Sequence, residues 1–450
     1  LEKLFKLKEH NTTVRTEIMA GITTFMTIAY ILAVNPSVLS STGMDSTAVL
    51  LATCIASFLG TLCMGLMANL PFVLSAGMGL NAYMAYTVCA SMGYPWQVAL
   101  LAVFFEGVIF IILSLTKVRE AIFDCIPFQL KKAVSVGIGL FIAFIGLQNS
   151  GLAVGGATLV QLTNFRENFR TSGICALLTI IGTIIISALY IKNVKGSILI
   201  GIIATWALGM LCQAFGIYRP DGIEYFSVFP HFSITDFSAL GKTAGKCFSV
   251  SLKEVGIMNF IIVVFSFLFV DLFDTIGTLI GVSTKAKMLD DDGKLPGIRP
   301  ALMADAIATT AGAVLGTSTV TTTVESASGV GSGGRTGLTA ITAAVLFLIS
   351  MFLAPLFIAI PSFATAPALI IVGFLMFSSV TEIKLNENYA DAIPAYLCIL
   401  AMPMFYSISE GISLGIISYV AINLLCGNAK KVHPLMYVLA VLFVMKYIFL

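Results

Sequence analysis

Long apolar stretches separated by short polar ones run through nearly the whole chain. A lipid-crossing helix needs roughly 20 apolar residues. By that rule segments fall near 17–38, 47–69, 71–92, 95–116, 132–148, 172–191, 196–216, 258–283, 298–315, 317–335, 338–360, 366–381, 391–427 and 433–449, about 14 in all. The stretch 391–427 is too long for one straight crossing and holds Pro394, Pro403, Gly411 and Gly415. It is therefore either a broken helix or a hairpin, and the choice decides the side of the membrane on which the chain ends.

Two segments interrupt their own apolar pattern. One is LPFVLSAGMGLNAYMAYTV, residues 70–88, with Pro71, Gly77 and Gly79; the other is GTSTVTTTVESASGVGSGG, residues 316–334. If the first half makes seven crossings, the second half enters the membrane from the opposite face, so the chain forms two inverted repeats, 1–230 and 231–450. The interrupted segments then stand third in each repeat, where paired Gly- or Pro-broken helices mark a transporter's central site. Lipid tolerates irregular backbone only against protein or a water-filled cavity. Residues Ser318–Thr323 are expected to enter extended, with a half-helix starting near Glu325 and its counterpart near Gly79–Asn81. Segments 3 and 10 thus each read as a short strand plus a half-helix, with a polar ligand between them.

Composition fixes the class. Of 450 residues, 58% are hydrophobic and 11% charged, with a mean hydropathy of +0.99; soluble domains carry about a quarter charged residues. The chain reads as an all-α polytopic membrane protein. Its first apolar run follows Glu2, Lys3, Lys6, Lys8, Glu9, Arg15 and Glu17 and is long enough to span, so it reads as a crossing rather than a cleaved signal. A net charge of +2, spread over the loops, gives no reason to expect a nucleic-acid partner. Nine cysteines stand singly and read as small hydrophobes. The three histidines, His10, His231 and His433, lie outside or at the edge of apolar runs, which argues against an intramembrane metal or haem site. No nucleophile–base constellation is present either, so no metal, cofactor or enzyme activity is expected.

Loop charges set the orientation. Lys117, Arg119, Lys131 and Lys132 follow the fourth segment, Lys192 and Lys195 the sixth, and Lys285, Lys287, Lys294 and Arg299 the eighth. All share a side with the cationic N-terminus, which is therefore expected in the cytoplasm, in a multi-pass protein of the inner (plasma) membrane. Residues 117–130 have the look of a short amphipathic surface helix.

Acidic groups inside apolar runs are the candidate chemistry, because an ionised carboxylate at a span's centre costs about 2.5–3.5 kcal/mol on insertion scales. Asp271, Asp274, Thr275 and Thr278 fall on one helical face, and Gly277 and Gly281 would let a neighbouring helix approach. Asp271 and Glu325 stand beside segments whose backbone already requires a cavity, and are the leading functional candidates. Asp274 has two readings, a working carboxylate or a hydrogen-bond partner of Thr278 and the broken backbone. Asp305 and Glu106 read as structural. Asn81, following GxG at the mouth of a half-helix, can donate and accept at once; Tyr83 and Phe72 could stack on a flat ligand, although a core or lipid-facing position is the commoner outcome for such aromatics. Carboxylates with only Arg335 nearby suit a neutral ligand rich in hydrogen-bonding groups, a cation or protons, and not an anion. A carboxyl out of water can hold a proton in one conformation and release it in another.

Four stretches, FKLKEHNTTVRTEIMAGITTFMTIAYILAVNP, GMGLNAYMAY, VDLFDTIGTLIGV and GTSTVTTTVESASGVGSGGRTGLTA, together resemble the AzgA-like purine permeases of the nucleobase–cation symporter group. The resemblance runs from about residue 4 to the end of the chain. It implies 14 segments in two inverted repeats of seven, with a core domain (17–116 and 258–360) moving against a gate domain (132–216 and 366–449) in an elevator-like way. It also implies purine nucleobase import with a proton, sodium remaining open as the coupling ion, and no other cofactor. The family's functional positions fall on Asn81, Asp271, Asp274 and Glu325. The expected substrate contacts are Glu325, Asp271, Asn81, Gly79 and Ser326, and the expected proton carriers Asp271, Glu325 and Asp274. GTSTVTTTVESASGV looks like the guanine/hypoxanthine branch. Adenine preference is the alternative, and an anion carrier of the sulfate-permease type on the same fold a more distant one. The lipid bilayer is a partner throughout, and the resemblance leaves room for a homodimer through the gate segments.

Overall fold

The apolar pattern becomes helix almost everywhere. A computed structural model describes residues 2–116, 125–156, 159–166, 168–221, 225–230, 233–250, 256–285, 288 and 295–449. Among these, 11 helices are long and apolar enough to cross a membrane. The chain is an all-helical membrane protein. The first span is α1 (Val14–Ile28) and α2 (Ile31–Ser40), separated at Ala29 and Tyr30. It is followed by α3 (Ser46–Cys63). Polar caps start both helices: Thr13 accepts from the Thr16 N–H at 3.2 Å and Asp45 from the Ala48 N–H at 3.0 Å.

The third segment is broken as expected. It enters as β1 (Leu74–Ala76), turns into α4 (Met78–Ala82) and continues as a π-helix over Tyr83–Ser91. Then come α5 (Trp96–Ser114), α6 (Phe128–Asn149), a small hairpin of β2 (Ala153–Gly156) and β3 (Leu159–Leu162), α7 (Ile174–Ile191) and α8 (Ser197–Ala214). The second half opens with α9 (Ile257–Lys285) and α10 (Ile298–Leu315). Its own broken segment consists of β4 (Val320–Thr322) and the half-helix α11 (Ser326–Gly331). After α12 (Gly337–Ser350) and α13 (Ser362–Phe377) come α14 (Tyr389–Met404), α15 (Ile408–Leu425) and α16 (Pro434–Phe449).

The doubtful stretch 391–427 is a hairpin. Helices α14 and α15 pack on each other, joined by a turn in which Tyr406 has φ +53°. The turn ends at Ser407, whose hydroxyl accepts from the Glu410 N–H at 3.4 Å. Pro394 and Pro403 lie within α14 rather than at the break.

Helix packing repeats itself across the two halves. Helices α6 and α13 pack together; α14 lies on α6 as α7 lies on α13, and α15 touches α6 as α8 touches α13. In the other body α5 packs on α10 as α3 packs on α12, and α9 touches α5 as α1 touches α12. Within this second body the strands β1 and β4 meet antiparallel, Leu74 opposite Thr322, Ser75 opposite Thr321 and Ala76 opposite Val320. The Gly77 N–H donates to Thr319 O at 3.1 Å and the Thr323 N–H to Val73 O at 3.0 Å, extending the same register at both ends. A two-stranded ribbon thus satisfies backbone groups that neither broken helix could satisfy alone. Most of the surface helix expected at 117–130, and the helix approach expected at Gly277 and Gly281, lie outside the described residues.

Candidate functional site

Where the two broken segments meet, the chain leaves a small pocket that opens at its mouth. Its polar wall is Tyr30, Gly77, Gly79, Asp274, Thr321, Thr322, Thr323 and Glu325; its apolar wall includes Ile142 from α6 and Val372 and Met376 from α13. No Lys, Arg or His is among the described lining residues.

Glu325 stands at the start of α11, its backbone in the position that begins the helix and its side chain making no capping bond there. Oε1 accepts from the Tyr30 hydroxyl at 2.7 Å. Tyr30 reaches it from the interruption between α1 and α2, and sequence reasoning did not single it out. A lone tyrosine among apolar neighbours, in TIAYIL, was the available signal. Asp274 is the second carboxylate on the pocket, and it lies close behind Gly77: a Cβ at Gly77 would stand 3.3 Å from Asp274 Oδ2 and 2.7 Å from Thr321 Cγ2. Gly79 also lines the pocket, beside Ile138.

The other expected residues sit behind the wall and are engaged elsewhere. Asp271 is buried, with Oδ1 accepting from the Thr275 hydroxyl at 2.9 Å. Thr275 is also 3.1 Å from each oxygen of Asp305 and 2.5 Å from the Thr321 hydroxyl. One hydroxyl proton cannot serve all these oxygens at once. The structure therefore brings Asp271, Asp305 and Thr275 into a single buried cluster against β4. Asp305 also accepts from the Thr322 N–H at 3.2 Å, and Glu106 from the Thr319 hydroxyl at 2.9 Å, so both carboxylates support the ribbon.

Asn81 belongs to a second buried network. Its Nδ2 donates to Asn35 Oδ1 at 2.6 Å and its Oδ1 accepts from Ser318 Oγ. Asn35 in turn donates to Thr53 at 2.7 Å and Thr317 at 3.1 Å. These bonds tie α2, α3, α4 and the approach to β4 together. Ser326 Oγ accepts from the Val73 N–H at 3.0 Å, clamping the start of one half-helix to the entry of the opposite strand. Tyr83 and Phe72 are fully buried outside the pocket, Tyr83 edge-on to Phe267 with ring centroids 4.9 Å apart. So Glu325, Asp274 and Gly79 face the cavity, while Asp271, Asn81 and Ser326 hold its frame.

Comparison with known proteins gives one consistent result. Residues 15–414 match the model of a family described as "Permease family". The chain is 48% identical to a putative permease of Methanocaldococcus jannaschii over 100% of this chain and 98% of that one. It is 45% identical to the guanine/hypoxanthine permease PbuO of Bacillus subtilis, with 98% of each covered. Against the adenine permease AdeP of Escherichia coli identity is 40%, covering 100% of this chain and 96% of the other. The fold is similar to the transmembrane domain of the bicarbonate transporter BicA of a cyanobacterium, with a TM-score of 0.63 at 14% identity over 89% of this chain and 97% of that one.

Proposed function

The chain belongs to the permease family, in its AzgA-like purine branch, and from that premise we propose that it imports a purine nucleobase together with a proton across the plasma membrane. The observation that carries the reading is the pocket's division of labour. Its hydrogen-bonding groups, from Tyr30 to Glu325, all come from the body that contains the two broken segments, and the wall from α6 and α13 is apolar. A ligand held by the first body can be carried past the second without losing a polar contact. That is the requirement for an elevator-type exchange between a core (17–116 and 258–360) and a gate (132–216 and 366–449). The reciprocal packing of the two halves supports two inverted repeats of seven segments. With 391–427 resolved as a hairpin, seven crossings of the second repeat are complete at Leu425, leaving α16 outside the pair. On the same reading the N-terminus is cytoplasmic, and a homodimer would form through the gate.

Purines are flat, neutral at pH 7 and edged with donors and acceptors. Glu325, steadied by Tyr30 through one oxygen, keeps the other for the N–H edge of guanine or hypoxanthine. Adenine presents an acceptor at that edge and leaves a carboxylate unpaired, and unpaired buried groups are what make such sites selective. Guanine and hypoxanthine are therefore the preferred substrates. Asp271, Asp274 and Glu325 carry the proton, the Thr275 cluster giving Asp271 a place to keep it. An anion carrier on the same fold is disfavoured by two carboxylates and no cation among the described lining residues. In proteoliposomes, hypoxanthine uptake should rise with an inward proton gradient, collapse with a protonophore and ignore sulfate. Uptake that follows a sodium gradient instead removes the proton from the mechanism.

A further inference from the structure

Glu17 is a fully buried carboxylate that the transport reading leaves without a task. Its oxygens accept from the Arg335 N–H at 2.9 Å, the Thr336 N–H at 3.2 Å and the Thr339 hydroxyl at 2.6 Å. Viewed alone, this is a cap on α12. The turn it grips, however, also closes the half-helix that carries Glu325: the Arg335 Nη1 donates to Val330 O, near the end of α11, and to Gly334 O in the turn itself, each at 2.7 Å. Midway along, α11 lies directly on α1, because a Cβ at Gly329 would overlap Thr24 Oγ1 and approach Ala20 O to 2.9 Å. At its start, Tyr30 holds Glu325. Glu17, Ala20 and Thr24 follow the i, i+3, i+7 spacing of one helical stripe. On an unbroken helix Tyr30 would stand about 110° round from the middle of that stripe, and the interruption at Ala29 and Tyr30 lets the same span reach both ends of α11.

We propose that the first span is a splint for the broken tenth segment and that Glu17 is a positioning residue for Glu325, acting through the Arg335–Thr336 turn. A six-residue helix cannot hold its own geometry in isolation, so its site carboxylate is only as well placed as its two ends are held. This rests on the purine reading for its binding readout, and a second readout is independent of it.

The experiment uses purified full-length Glu17→Ala, Glu17→Gln and Arg335→Ala. Arg335→Ala leaves the Glu17 cap on α12 intact but frees the end of α11, so it keeps the test open if Glu17→Ala folds poorly. Expected for Glu17→Ala and Arg335→Ala are a hypoxanthine Kd weakened about tenfold or more and faster amide hydrogen exchange confined to residues 326–336. Glu17→Gln, which keeps an acceptor for the turn, should recover most of the affinity. A lowered Tm with unchanged Kd and unchanged exchange at 326–336 means that Glu17 only caps α12, and overturns the proposal. If the wild-type chain binds no purine, the functional reading fails, and the exchange measurement still decides for or against the splint.

Discussion

A methyl group on Gly77 crowds the pocket wall while leaving both carboxylates in the sequence. Its Cβ would stand 2.7 Å from Thr321 Cγ2, 3.1 Å from Leu80 Cδ1 and 3.3 Å from Asp274 Oδ2. The Leu80 methyl can swing aside. Thr321 cannot, since its backbone pairs with Ser75 and its hydroxyl lies 2.5 Å from Thr275 in the acid cluster. Relief must come from spreading β1 away from β4 or from pushing Asp274 back, and either changes the spacing of Asp274 and Glu325. Overpacking of this kind costs about 1–3 kcal/mol. Borne wholly by the bound state, that weakens purine binding about 5- to 150-fold. Equilibrium binding of hypoxanthine to purified Gly77→Ala measures it, with Gly155→Ala as control because a Cβ there meets nothing within 4 Å. Matching affinities for the two variants would refute the view that the ribbon sets the spacing of the two acids.

Three further outcomes follow from single contacts. Tyr30→Phe removes one charge-assisted hydrogen bond from Glu325 and should weaken hypoxanthine binding by about 1.5–3 kcal/mol, read as Kd by calorimetry. Glu410→Gln takes the counter-charge from Lys446, whose side chain is 3% exposed and whose Nζ lies 2.5 Å from Glu410 Oε1 and 2.9 Å from Ser409 Oγ. A loss of about 3–5 kcal/mol is expected, and thermal unfolding should show Lys446→Met in the same chain restoring most of it. At the membrane edge, Asp45 is raised by partial burial but more strongly lowered by Lys242 and the Ala48 N–H, so it lies below its usual value; its own hydrogen bond and charge hold Lys242 above its usual one. Asp45 therefore contributes stability above the unfolded carboxyl value of about 3.9, lost as pH falls through the lower folded value. Lys242 contributes below about 10.4, lost as pH rises through its higher folded value. Asn also caps helices well, so Asp45→Asn should melt lower than wild type by a constant amount from about pH 5 to 9. The gap should close on further acidification; a gap that stays open in acid contradicts the assignment.

The broken segments were legible because Pro71, Gly77 and Gly79 interrupt one and Thr, Ser and Gly crowd the other, and Glu325 drew notice because it follows such a break. Asp271 and Asp274 could not be told apart by helical spacing. Three residues is less than a full turn, so both fall on one broad face, and only the path of β4 decides which carboxylate meets Thr275 and which meets the cavity. Asn81 was read for its two-sided hydrogen bonding; it donates and accepts within the chain, to Asn35 and from Ser318, which lie 46 and 237 positions away in sequence. The hairpin at 391–427 was obscured by its prolines, which the helix absorbs. The sharper signal was Ser407 three residues before Glu410, the start of a new helix.

The central claim is that the purine lies against Glu325 in the pocket between the broken segments. Equilibrium binding of hypoxanthine, guanine, adenine, xanthine and uracil to purified wild type and Glu325→Gln tests it most directly. The account predicts that wild type prefers hypoxanthine and guanine and that Glu325→Gln loses that preference along with most of its affinity. An unchanged ranking and unchanged Kd values in Glu325→Gln would place the substrate somewhere else.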